Sequence, residues 1–203
     1  MHSQVISFFD SGHTVLNRLR ILHIEDIALG PKPMQRMLRV VRKLIDLEEL
    51  HLVNLLELEN FTEVLAGSLG SIKKLRVLDL RQANLWKRNV GALVPYLANN
   101  RTVLKLDVSK GIISKINMMH LWLALHKNIS ICELNYSRIN FFSILEMHAI
   151  DAELALNQVI VKQILPIFKG NLHGAKKLSF RGLEVPNENY PAIIKFLKMQ
   201  LQL

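Results

Sequence analysis

The sequence predicts an α/β chain in which one strand–helix unit repeats, with parallel strands lining one face and helices the other. Three observations predict it. The pattern L-x-x-L-x-L recurs with its central leucine at Leu22, Leu50, Leu78, Leu106 and Leu134, and every step is 28 residues. Two further apolar columns, Met37/Leu65/Leu93/Leu121 and Val41/Leu69/Leu97/Leu125, keep the same step. Within each unit the apolar period switches from two to about 3.6, as a strand followed by a helix requires.

The units follow in order. Strands are expected near 19–25 (Leu19/Leu22/Ile24), 47–53 (Leu47/Leu50/Leu52), 75–81 (Leu75/Leu78/Leu80), 103–109 (Val103/Leu106/Val108) and 131–137 (Ile131/Leu134/Tyr136). Five residues past each strand comes another apolar position at Leu29, Leu85, Ile113 and Phe141. The second unit has Glu57 there with Leu58 beside it, so its turn is expected one residue later. The two helical columns differ by four residues within a unit and so share a helix face. A sixth unit reads Leu178/Phe180/Leu183/Val185, with a strand near 175–181 and Ile193 and Leu197 in the helical columns. It falls 44 residues after Leu134, sixteen more than the period. The extra segment is placed at about 142–160 and reads as a helical extension. No linker-like stretch interrupts residues 1–203, so one domain of about six repeats is expected.

With these residues in place, the chain resembles the ribonuclease-inhibitor-like class of leucine-rich repeats, over roughly residues 19–203. The resemblance implies a curved solenoid with a parallel sheet on the concave face and helices on the convex face. It also implies a protein-binding role, since members of the class bind nucleases, GTPases, immune ligands or ciliary subunits. One departure stands out. The class places Asn or Cys three residues after the last strand leucine to tie adjacent turns together, whereas here the position holds Ile27, Leu55, Ala83, Gly111, Ile139 and Leu183. Apolar packing is expected to replace that ladder, in a less regular coil.

Composition limits the function classes. Half the residues are hydrophobic and mean hydropathy is +0.19, ample for a core. The longest stretch without a charge, Asn89–Asn100, is twelve residues, and a helix needs about 18 or more to cross a bilayer. The N-terminus has no basic, long-apolar signal pattern, and the single cysteine, Cys132, fits a reducing compartment. A cytoplasmic place, cytoskeletal or ciliary, is therefore expected. The net charge of +9 is uneven: residues 1–63 carry seven Lys/Arg against nine Asp/Glu, and residues 64–203 carry nineteen against eight. Such a balance favours acidic or mixed-charge partner surfaces, and admits RNA or another polyanion.

Strand alternation names the candidate binding residues. The central concave column is His23, His51, Asp79, Asp107, Asn135 and Ser179, and the next column includes Glu25, Arg81 and Arg181. Two imidazoles beside carboxylates raise the question of zinc, and Asp79 with Asp107 that of an acid–base pair. A ladder spreads its groups along a line, however, where a metal needs them to converge. Cys132 has no motif-matched histidine, and Gly67 and Gly70 fall inside a helix rather than in a phosphate loop. Arg36, Arg39, Arg42 and Lys43 form a basic stripe on the first helix, read as an ordinary solvent face. Trp122 is expected in packing and Trp86 at a turn. Neither end carries a polar cap, so a neighbouring subunit or a longer native chain is expected to cover them.

The expectation is a non-catalytic scaffold without metal, cofactor or small-molecule substrate, holding other protein subunits in a cytoplasmic or cytoskeletal assembly. Two alternatives stand beside it: a regulator of a GTPase or nuclease acting through the concave face, and an RNA- or anion-binding accessory subunit.

Overall fold

The computed structural model describes residues 18–27, 30–55, 61–83, 85, 90–111, 113–137, 144–164 and 190–201. Five strands, β1 (Ile21–Glu25), β2 (Glu49–Val53), β3 (Val77–Asp79), β4 (Lys105–Val108) and β5 (Glu133–Tyr136), form one parallel sheet in sequence order. Between them run α1 (Pro31–Val41), α2 (Phe61–Leu69), α3 (Val94–Asn99, entered through the 3-10 turn Val90–Leu93) and α4 (Lys115–Lys127). After β5 come α5 (Ile144–Val159), a π-helical turn Ile160–Ile164, and α6 (Tyr190–Leu201). The sixth strand expected near 175–181 lies outside the described residues, as do Ser179, Arg181, Trp86 and Phe141.

The sheet register is the 28-residue period made visible. Leu22 pairs with Leu50, Leu50 with Leu78, Leu78 with Leu106 and Leu106 with Leu134. Leu50, Leu78, Leu106 and Leu134 are buried, while Leu22, on the edge strand, is half-covered. Both helical columns predicted from the sequence are buried throughout, Met37 to Leu121 and Val41 to Leu125. Because each unit exposes its stripe until the next one covers it, the units stabilise one another rather than themselves. Among the described residues no helix is long and apolar enough to cross a membrane.

The first four units turn off their strands in the same way. Asp26, Asn54, Gln82 and Lys110, spaced 28 apart, all have positive φ (56°, 48°, 58° and 58°). This left-handed residue costs a non-glycine side chain about 1–2 kcal/mol, yet it recurs because it extends the interstrand ladder. The Asp26, Asn54 and Gln82 amides donate to the carbonyls of Val53, Arg81 and Ser109 in the next unit. The following residue then tucks inward, and Leu55 and Ala83 are buried at the position where the class carries asparagine.

A side-chain ladder does exist, at the opposite end of the helices. Asn100 Oδ1 accepts from the Thr102 and Val103 amides at 2.8 and 2.7 Å. Asn128, fully buried, repeats this with Ser130 (2.7 Å) and Ile131 (2.6 Å), while its Nδ2 donates to Leu97 O (2.7 Å) and Asn100 O (2.9 Å) of the preceding unit. Asn157, also buried, donates to Ile131 O at 2.7 Å. Asn128 thereby ties its helix end to the preceding unit, while Asn100 and Asn157 brace the turn into or beside a strand, and a buried amide that satisfies so many groups fixes one geometry.

From the fifth unit the register advances. Helix α5 opens at Ile144, in the place of that unit's own helix, and its buried Ile150 and Asn157 fall 29 residues after Leu121 and Asn128. Helix α6 buries Ala192 and Phe196, each one residue before the expected Ile193 and Leu197, which are half-buried beside them. A buried lysine pins α6 in place. Lys195 Nζ donates to Glu153 Oε2 (2.5 Å), Asn157 Oδ1 (2.9 Å) and Leu125 O (3.2 Å). Burial pulls its ammonium below the ordinary lysine range, against the opposing pull of Glu153.

Candidate protein-binding face

Side chains alternate across a strand, so the residues between the buried leucines stand on the sheet face away from the helices. The register sets His23 beside His51, His51 beside Asp79, Asp79 beside Asp107 and Asp107 beside Asn135. The predicted central column is thus one continuous file on five strands.

Each member of the file is held by neighbouring side chains. The His23 and His51 rings lie 5.2 Å apart, tilted by 31°, and His23 Nε2 meets Glu25 at 3.0 Å. His51 is held from both sides, Nδ1 to Asp79 Oδ2 at 2.9 Å and Nε2 to Glu49 Oε2 at 3.1 Å. Arg81 Nε reaches both Asp79 oxygens at 3.0 and 2.9 Å, and the Arg81 amide donates to Oδ1. Burial pushes the Asp79 carboxyl up, but the Arg81 guanidinium, His51 and the Arg81 amide together outweigh it and hold Asp79 below the ordinary carboxylate range. Asp107 Oδ1 accepts from the Ser109 amide and hydroxyl, and Asn135 Nδ2 donates to Oδ2 at 3.0 Å. Lys105 and Glu133 pair at 2.6 Å, which raises the lysine.

Glu49, Lys105 and Glu133 belong to this face although the sequence reading did not single them out. They occupy the strand position just before the central leucine, and period-two alternation was signal enough to find them. With them, the described face carries Glu25, Glu49, Asp79, Asp107 and Glu133 against Arg81 and Lys105. The outer side of α1 and the turn after it have the reverse character, with Arg36 and Arg39, then Arg42 and Lys43, open to solvent.

Other groups weighed from the sequence stand apart from this file. Cys132 is half-buried, its thiol 3.1 Å from Ser130 O, and burial pushes it above its ordinary value. A raised thiol is a weaker source of nucleophilic thiolate. Trp122 is half-buried against His126, ring centres 5.9 Å apart. Among the described residues no three His, Cys, Asp or Glu side chains gather as a metal-ion site.

The fold and its open polar face define the class: a leucine-rich-repeat-like α/β chain with parallel strands in sequence order. Among solved structures it is similar to the tropomodulin C-terminal domain of Caenorhabditis elegans, with a TM-score of 0.62 at 15% identity over 83% of this chain and 99% of that one. It is also similar to actin-binding site 2 of leiomodin-1, with a TM-score of 0.60 at 14% identity over 82% of this chain and 93% of that one. At such identities the likeness is one of fold. No family model and no curated protein matches the sequence.

Proposed function

We propose that this chain is a non-catalytic protein-binding module of the cytoskeleton, of the ribonuclease-inhibitor-like repeat class, that engages its partner through the open face of the sheet. The observation that carries this reading is the file His23–His51–Asp79–Asp107–Asn135, set at one strand spacing and held by its own hydrogen bonds. A pre-ordered polar surface loses little side-chain freedom on binding, so its charges act as a template for a complementary surface. A catalytic site would need a nucleophile or base free to meet a substrate. Here Asp79 is committed to His51 and Arg81, and Asp107 to Ser109 and Asn135.

Actin is the partner to test first, because the leiomodin-1 segment of the same fold is an actin-binding site. The excess of carboxylates on the face favours a mixed-charge surface richer in basic groups. A cytoplasmic location follows from that role. Co-sedimentation with actin filaments and titration against labelled actin monomers test the reading. Glu133→Lys, at an exposed position, should weaken binding by about tenfold or more while leaving the melting curve within a few degrees. Failure to bind either form of actin, or binding indifferent to Glu133→Lys and Glu25→Lys, would remove the face from this role.

A further inference from the structure

His51 stands on the open face with a carboxylate against each nitrogen of its ring. Nδ1 lies 2.9 Å from Asp79 Oδ2 on β3, and Nε2 lies 3.1 Å from Glu49 Oε2 on its own strand. An ionised carboxylate has no hydrogen to give, so each contact needs a hydrogen on the imidazole nitrogen. A neutral ring carries one such hydrogen and the imidazolium two. Only the charged ring therefore makes both bonds, and the neutral one sets a lone pair against a carboxylate oxygen. The two carboxylates do not compete equally for the single hydrogen of the neutral ring. Asp79 is covered, its side chain 5% exposed, and is fixed in place by the Arg81 guanidinium and amide. Glu49, at 39% exposed, can turn to water instead. An acceptor that water cannot reach loses more by going unpaired, so the hydrogen stays on Nδ1 and Glu49 lets go.

Charged groups face this ring from both neighbouring strands. On β1 stand His23, its ring centre 5.2 Å away, and Glu25, which meets His23 Nε2 at 3.0 Å. Asp79 and Arg81 come from β3 and the turn after it, and Lys105 and Asp107 lie one strand further on. His23 and Arg81 oppose a charge on His51, while Asp79 and Glu49, in direct contact, and Glu25 favour it. Histidine is the side chain that ordinarily changes charge between about pH 5 and 8. We infer that His51 is a proton-operated clasp on the open face. Charged, it holds Glu49 and Asp79 at once. On giving its Nε2 proton to water it keeps Asp79 and releases the Glu49 carboxylate to a basic group of the partner. The release removes one positive charge from the face and frees one negative charge, so a partner rich in basic groups binds more tightly as the pH rises. That consequence for binding rests on the open-face reading proposed above, whereas the clasp itself does not.

The first readout needs no partner. Heteronuclear NMR of the intact chain, with the His51 ring assigned through its backbone, reports the hydrogen on each ring nitrogen. At about pH 5.5 both nitrogens should carry one, and at about pH 8 only Nδ1 should. The second readout is titration against labelled actin monomers at the same two pH values. The gain in affinity from the lower pH to the higher should be about threefold larger for the parent than for Glu49→Gln, which has no charge to release. Any titration of actin itself cancels in that comparison. A His51 ring unchanged between the two pH values, or one that loses its Nδ1 hydrogen rather than the Nε2 hydrogen, would overturn the clasp. So would equal pH dependence in the parent and Glu49→Gln. Failure to bind actin at either pH would instead remove the open-face reading, and the NMR result would decide the clasp alone.

Discussion

Asn128→Ala offers the sharpest energetic test of how the units are joined. The parent side chain is fully buried and makes four bonds to backbone groups. It donates to Leu97 O and Asn100 O in the preceding unit and accepts from the Ser130 and Ile131 amides in its own. Alanine removes all four and is too small to admit a substitute donor. At about 1 kcal/mol net per bond the loss is about 4 kcal/mol. In a chain of this size each kcal/mol moves the melting temperature by roughly 2–4 °C, so a fall of roughly 8–16 °C is expected. Urea unfolding followed by circular dichroism reads the free energy, and an unchanged slope would place the effect in the folded state. Asn99→Ala is the control: its amide bonds only Pro95 O at the surface, and a cost below about 0.5 kcal/mol is expected. A cost under about 1 kcal/mol for Asn128→Ala would refute the idea that these buried asparagines join the units.

Three further outcomes follow from the same geometry. Lys195→Met strips the half-buried Glu153 and the buried Asn157 of their cation and should destabilise by about 3 kcal/mol, with amide exchange accelerating in α5 and α6 more than in β2; uniform acceleration would contradict this. Asp79 titrates below its unfolded value of 3.8, so its contribution is complete above that pH and lost as the pH falls through the lower folded value. Asp79→Asn should therefore flatten the loss of stability below about pH 4 in urea melts, and an equally steep acid limb would refute it. Gln82 sits at φ 58°, so Gln82→Gly should be neutral or stabilising by up to about 1 kcal/mol, whereas Gln82→Val should cost about 1–2 kcal/mol or more; thermal melts that rank the two the other way would contradict the turn.

Much of the fold was legible because burial repeats with the chain. The leucine file and both helical columns read directly as a 28-residue period, since an apolar side chain must recur wherever the same core position recurs. The polar file from His23 to Asn135 followed from strand alternation. What stayed hidden has physical reasons. Asn100 and Asn128 carry the same 28-residue step, but a buried asparagine and a surface asparagine look alike in sequence. Only the backbone groups around them make them structural: the Thr102 and Val103 amides for Asn100, and for Asn128 also the Leu97 and Asn100 carbonyls of the preceding unit. Glu49, Lys105 and Glu133 were readable from alternation yet lacked the apolar regularity that draws attention to a column. The shift to a 29-residue spacing at α5 was masked, because Ala149 and Ile150 are both apolar and either suits a helix face. The turn residues Asp26, Asn54, Gln82 and Lys110 share a backbone conformation that no single residue type announces.

The central claim is that units 28 residues apart lie on consecutive parallel strands, one strand spacing per step. Spin labels on the open face, at Ile21 paired in turn with Lys105 and with Glu133 after replacement of Cys132, measure this directly by pulsed electron resonance. The register places these sites three and four strands apart, so backbone separations of about 14 and about 19 Å are expected, rising by about 4.8 Å per unit. Distances that fail to increase from Lys105 to Glu133, or that scatter broadly beyond 30 Å, roughly six strand spacings, would contradict the stacked arrangement on which the open sheet face depends.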